Sequence, residues 1–135
     1  MEVKINLDQL CAEYGYRFAE KISRADDFNA QKAEVLITKA LSVLQEQGLY
    51  AFVLFCESRP SGEKAGVKEI ETLAKELLKR LNLINDDDFL EELRKDNGLL
   101  TRIDDLMLAI QVLEKSLIYA RFHAKAMKEI YERNR

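Results

Sequence analysis

From roughly Leu99 to Arg133 the chain runs without a glycine or proline. Over that stretch Ile103, Leu106, Ile110, Leu113, Leu117, Ala120, Ala124, Met127 and Tyr131 recur at alternating spacings of three and four. This is the apolar seam of one long helix, of the heptad type. At about 100° per residue, Ile118 and Phe122 fall on nearly the opposite side of the same helix. A helix with two apolar sides must be covered twice, either by its own domain or by a neighbour, which makes Ile118 and Phe122 the candidate subunit-interface pair. Between the two sides runs a basic stripe of Arg121, Lys125, Lys128 and Arg135.

A chain of 135 residues suits one domain, spanning 1–135, that buries roughly two thirds of its unfolded surface. Charged residues make up 33%, with five glycines and one proline, which favours helices over a turn-rich β fold. The expected architecture is all-α, a single-domain bundle of five to six helices closed by the long C-terminal one. A formal net charge of −3 argues against a free-standing, non-specific nucleic-acid binder, so any such contact has to be a local patch. Cys11 and Cys56 sit in apolar runs without CxxC spacing and read as buried reduced thiols, a disulfide being the alternative. Neither a signal-peptide pattern nor a run of ~20 apolar residues occurs, so a soluble cytoplasmic protein without a membrane partner is expected.

Asn6 is positioned to cap a first helix whose apolar face is Leu7, Leu10, Cys11, Tyr14, Phe18 and Ile22. Gly15 within it costs about 1 kcal/mol relative to Ala and points to a close helix contact. Asp26, Asp27 and Asn29 supply a turn and cap for a second helix, with Ala33, Leu36, Ile37, Ala40, Leu41 and Leu44 inward and Gly48 at its end. Leu49 to Cys56 is apolar almost all round; we read it as helix, because no partner strand exists elsewhere. Arg59, Pro60, Ser61 and Gly62 open an exposed loop running on through Gly66, without phosphate-loop spacing. A fourth helix buries Val67, Ile70, Leu73, Ala74, Leu77, Leu78 and Leu81, and its pairs Glu71/Lys75 and Glu76/Arg80 read as a solvated face. A short fifth helix starting at Asn85 and Asp86 covers Phe89, Leu90 and Leu93, and Asn97 and Gly98 stop it.

Catalytic and metal-binding constellations are absent from the pattern. His123 has no Cys or carboxylate at ligand spacing and reads as a structural or surface residue. The acids Asp86, Asp87, Asp88, Glu91 and Glu92, like Asp104 and Asp105, suit helix starts, where they complement the dipole. No serine sits in a nucleophile elbow, and a Cys–His pair would need a buried cysteine. No enzymatic activity, cofactor, metal or small-molecule substrate is expected.

Three segments together resemble one family. Asp8-Gln9-Leu10-Cys11-Ala12 with Tyr14 looks like the opening helix of the small helical subunit of type III-B CRISPR effector complexes, the Cmr complexes. Gln47-Gly48-Leu49 followed by Phe52, Val53, Leu54 and Phe55 resembles its mid-chain turn into a buried helix. Leu117-Ile118-Tyr119-Ala120-Arg121-Phe122 with Ala124 and Ala126 is similar to its last helix, with Tyr119 where family members often carry Trp. The resemblance implies a non-catalytic subunit that stacks in several copies beside the crRNA-holding backbone and lines the channel where target RNA pairs with the guide. Its partners would be other Cmr subunits, copies of itself and the crRNA–target duplex, held through phosphates.

Two basic stripes fit that role independently of the resemblance. Arg17, Lys21 and Arg24 flank the apolar face of the first helix, and Arg121, Lys125 and Lys128 flank the seam of the last. If the two helices pack side by side, the stripes are expected to border one RNA-binding groove. The same cations equally suit helix ends, where they offset the dipole. At about 0.7 of log–log salt slope per phosphate, two or three contacts give a slope near 2, so one copy binds RNA weakly and an array binds through effective concentration. Two alternatives remain open: a helical protein–protein adaptor that oligomerises without nucleic acid, and the small subunit of a type III-A complex.

Overall fold

The computed structural model describes residues 5–133, with side chains through Ile130. Among them are six α-helices: α1 (Leu7–Ser23), α2 (Ala30–Gln47), α3 (Leu49–Glu57), α4 (Lys64–Arg80), α5 (Phe89–Arg94) and α6 (Ile103–Arg133). The all-α bundle with a long final helix is the architecture the periodicity implies. The side chain of Tyr131 and all of Arg135 lie outside the described residues.

Helix starts follow the capping chemistry of the sequence. The Asn6 side chain accepts from the Gln9 amide at 3.0 Å and that of Asn29 from the Lys32 amide at 2.8 Å. Gly48 alone separates α2 from α3, with φ of +93°, a conformation that only glycine adopts without strain. The apolar run Leu49–Cys56 is therefore a helix of its own, with Leu49, Phe52, Val53 and Cys56 buried. The start of α5 differs from expectation, because Asp88 rather than Asn85 or Asp86 is its cap, accepting from the Glu91 amide at 3.1 Å. The loop after Pro60 is also shorter than expected. It ends at Glu63, and Gly66 lies inside α4, packed beneath Phe28 and Leu36.

The long helix begins at Ile103, the first residue of its seam, and not near Leu99. Leu99–Thr101 form a single 3₁₀ turn, and Arg102 leaves helical geometry before α6 starts. Arg102 turns back to donate to the Leu83 carbonyl at 2.6 Å and to Asp105 at 2.7 Å, which ties the start of α6 to the loop after α4. Ile103, the first residue of the seam, is accordingly 70% exposed. The buried line of α6 is Ala109, Val112, Leu113, Ser116, Leu117, Ala120 and Ala124, while Leu106, Ile110 and Met127 only edge onto the core. Small residues at Ser116, Ala120 and Ala124 make this possible, since they let another backbone come close.

That backbone belongs to α1. Cys11 faces Val112, Gly15 faces Ser116 and Tyr119, and Tyr16 meets His123, so α1 and α6 run parallel. A Cβ placed on Gly15 would stand 2.5 Å from Tyr119 Cβ and 3.0 Å from the Ser116 carbonyl oxygen. The opposite edge of α1 packs antiparallel on α4, with Arg17 beside Glu76 and Glu13 beside Arg80. Helix α2 covers the remaining side of α6, and α3 closes the core against α2, α4 and α5. Both cysteines are buried and free; burial pushes the thiols of Cys11 and Cys56 up.

Candidate nucleic-acid and subunit interface

The six basic residues expected to line one groove are divided between two sides of the molecule. On α1, Arg17 is consumed inside the fold. Its guanidinium pairs with both carboxylate oxygens of Glu76 and lies 4.8 Å from the centre of the Tyr14 ring. The buried Tyr14 hydroxyl donates to the same carboxylate at 2.5 Å. Arg17 and then Tyr14 hold the Glu76 carboxyl below its ordinary value. One turn along, Arg80 reaches Glu13 at 3.3 Å. Of the charges on the expected solvated face of α4, Glu76 and Arg80 therefore pair with α1 rather than with each other, while Lys75 donates to the Asp86 carbonyl at 3.4 Å. Arg24 pairs with Glu20 at 3.4 Å, and Lys21 is exposed without an ion pair to any described residue.

The basic residues of α6 lie elsewhere because α6 meets the other edge of α1. There Asp8 takes the Lys115 ammonium at 2.7 Å and the Tyr119 hydroxyl at 2.6 Å, and those two bonds hold its carboxyl below the usual range. The small edge of α1 (Cys11, Gly15, Ala19) draws in α6, whereas its Tyr14–Arg17 edge draws in Glu76. The two stripes thus face apart, and no common groove forms. Arg121 and Lys128 follow Glu114 at seven-residue intervals, and Glu114 accepts from Gln45 of α2 at 3.2 Å, so they continue the edge of α6 that flanks α2. Lys125 is exposed. Neither Arg121 nor Lys125 forms an ion pair with a described residue.

The expected subunit-facing pair is also divided. Ile118 is half-buried and packs against the core, whereas Phe122 is 59% exposed. The Arg121 guanidinium lies 5.6 Å from the centre of the Phe122 ring. Phe122 forms one wall of a groove of about 290 Å³ between the outer edges of α1 and α6, shared with Ala12, Tyr119, His123 and Ala126. Ala12 and Ala126 leave the space that larger side chains would fill. At its end Tyr16, 52% exposed, meets the His123 ring edge-on at 5.8 Å. Tyr16 lies off the apolar face of α1, and that was the available sign of a surface aromatic, but nothing in the sequence pairs it with His123. Further apolar surface lies at the other end of α6, at Ile103 and Met107.

The acids after α4 each have a structural task. Asp86 pairs with Lys79, and Asp88 caps α5. Glu92 is only 2% exposed and accepts from the Asn85 amide at 2.6 Å while pairing with Lys95 at 2.5 Å. Burial works to raise its carboxyl, but Lys95 and the Asn85 amide hold it below its ordinary value. Among the described residues no group of three or more His, Cys, Asp or Glu is placed to hold a metal ion, and no helix is long and apolar enough to cross a membrane. No family model, curated protein or solved structure matches this chain.

Proposed function

We propose that this protein is a non-catalytic small subunit of a type III-B CRISPR (Cmr) ribonucleoprotein, acting in antiviral defence in the cytoplasm. Several copies stack with other Cmr subunits and help hold target RNA paired to the crRNA, while cleavage belongs to other subunits. The observation that carries this reading is the outer edge of α6, where Arg121 and Lys125 stand without described ion-pair partners beside an exposed aromatic ring. On a chain of net charge −3 they form a local cationic edge, the kind of patch that phosphate contact requires. The three segments that resemble the family also fall on sound structural units: the start of α1, the α2–Gly48–α3 joint and the middle of α6.

The division of the basic residues narrows the RNA contact to Lys125 and Arg121, with Lys128 beside them and Lys21 on a separate face. Arg17 contributes stability instead. Co-purification with a guide-containing ribonucleoprotein tests membership. Within that particle, Lys125→Glu lowers target-RNA affinity while Arg17→Ala leaves it unchanged. Wild-type target affinity in a particle carrying both Lys21→Glu and Lys125→Glu removes the RNA contact. The exposed Ile103 and Met107 favour a second reading, a homo-oligomeric adaptor, which would purify as a nucleic-acid-free assembly.

A further inference from the structure

We propose that the groove between the outer edges of α1 and α6 binds an unpaired nucleobase of single-stranded RNA by stacking on Phe122, with Tyr16 and His123 closing the end of the groove. The inference rests on the RNA-contact part of the function proposed above and names the part of RNA that this site takes.

The chemistry lies in the walls. Among the described residues of these two helices Phe122 and Tyr16 are the exposed aromatics; Phe122 lines the groove with His123 and Tyr119, and Tyr16 stands at its end against His123. Aromatic rings left in water at the rim of a cleft are the platform on which bases stack, and stacking tolerates any base because every base has a π-face. The volume of about 290 Å³ lies at the lower end of small-molecule sites, so the groove takes one ring system rather than a whole nucleotide. The sugar and phosphate then stay outside, on the side of Lys125 and Arg121.

Charge selects the occupant. Around the groove the exposed Glu129 is one acid set against two cations, while the other acids are already engaged: Asp8 with Lys115 and Tyr119, and Glu20 with Arg24. The cations Arg121 and Lys125 are not, and Arg121 lies over Phe122, where its charge reinforces stacking as well as meeting phosphate. A wider groove of about 640 Å³, lined by Phe28, Val35 and Pro60, lacks this combination. Its Lys39 is tied to Glu63, and its Lys32 donates to the Asp27 carbonyl. The Tyr119 hydroxyl is occupied by Asp8, so Tyr119 offers its ring alone, and the imidazole of His123 is the polar group left to read a base edge.

Fluorescence anisotropy at low salt on the full chain, with a labelled oligouridylate and the same strand made abasic, tests the proposal. Loss of one stacked base is expected to weaken binding about 5- to 100-fold. Phe122→Ala removes the difference between the two strands and leaves the salt slope unchanged. Lys125→Ala lowers the slope by about 0.7 and preserves the difference. A melting temperature equal to wild type shows that Phe122→Ala is folded, as its exposure requires. Equal affinity for both strands overturns the proposal, as does no binding of either at low salt. So does a Phe122→Ala chain that binds RNA normally but no longer joins its partner subunits, since the groove is then a protein-docking surface. Membership of the Cmr particle is read separately by co-purification, so a chain that joins the particle yet ignores abasic sites refutes the stacking site alone.

Discussion

At Gly15 the chain gives up about 1 kcal/mol of helix propensity so that two helix backbones can meet. The contact opposite, Tyr119 Cβ and the Ser116 carbonyl, leaves no room for a methyl group. Gly15→Ala is therefore expected to destabilise the fold by about 1–3 kcal/mol despite the better propensity, because overpacking outweighs it. A lowered urea midpoint at unchanged slope checks this, and a gain in stability would show that α6 can shift away. Glu92 invites the same kind of test. Glu92→Ala leaves the Asn85 amide without its acceptor and should cost about 1–3 kcal/mol. Glu92→Gln keeps an acceptor oxygen and should cost less in the same denaturation experiment; equal losses would assign the role to charge. The glycine was legible as a close-packing position from its place in an apolar face. The task of Glu92 was not, since a buried carboxylate and a dipole-complementing one look alike in a string of acids.

Along the elements, each helix spends its edges on particular neighbours, and that decides which charges remain for a ligand. The α1–α4 contact uses Tyr14, Arg17, Glu76, Arg80 and Glu13. Glu76→Ala removes a half-exposed ion pair and the acceptor of a buried tyrosine hydroxyl, for a loss of about 1–2 kcal/mol by thermal or chemical denaturation. High salt should shrink the difference only in part, because the Tyr14 hydrogen bond is not screened. The exposed Ile103 and Met107 at the start of α6 are an assembly surface under either function proposed above. Met107→Asp should leave helicity and melting unchanged, since Met107 is exposed, and reduce incorporation into the particle. Loss of helicity in the isolated chain would place Met107 within the fold instead. The seam spacing made the existence of α6 plain and held for Leu113, Leu117, Ala120 and Ala124, but it missed Ala109, Val112 and Ser116, because the close approach of Cys11 and Gly15 of α1 widens the buried face.

For the whole molecule, stability is limited by carboxylates at both ends of the pH range. Burial, followed by the charges of Glu57 and Asp88, pushes the Glu71 carboxyl up to about 7 from an ordinary 4.5. Its folded state binds the proton more tightly, so this contribution is full below about 4.5 and is lost as pH rises through about 7. Glu76 and Glu63, held low by Arg17 and Arg59, act in the opposite sense: their contributions are present above 4.5 and are lost as pH falls through their depressed values. Stability should therefore peak between those limits, and Glu71→Gln should flatten the alkaline limb by on the order of 1 kcal/mol after solvent screening, seen as melting temperature against pH. An unchanged limb would mean that Glu71 titrates normally. The helices, the Asn6 and Asn29 caps and most of the inward faces were determined by the sequence itself, because capping and apolar periodicity are local properties of a few consecutive residues. Only the tertiary structure decided that Arg17 pairs with Glu76, that the two basic stripes face apart, and that Phe122 and His123 share a groove with Tyr16 at its end. Each of these depends on which edge of α1 meets which helix, and that follows from the fit of small residues across an interface between segments a hundred residues apart.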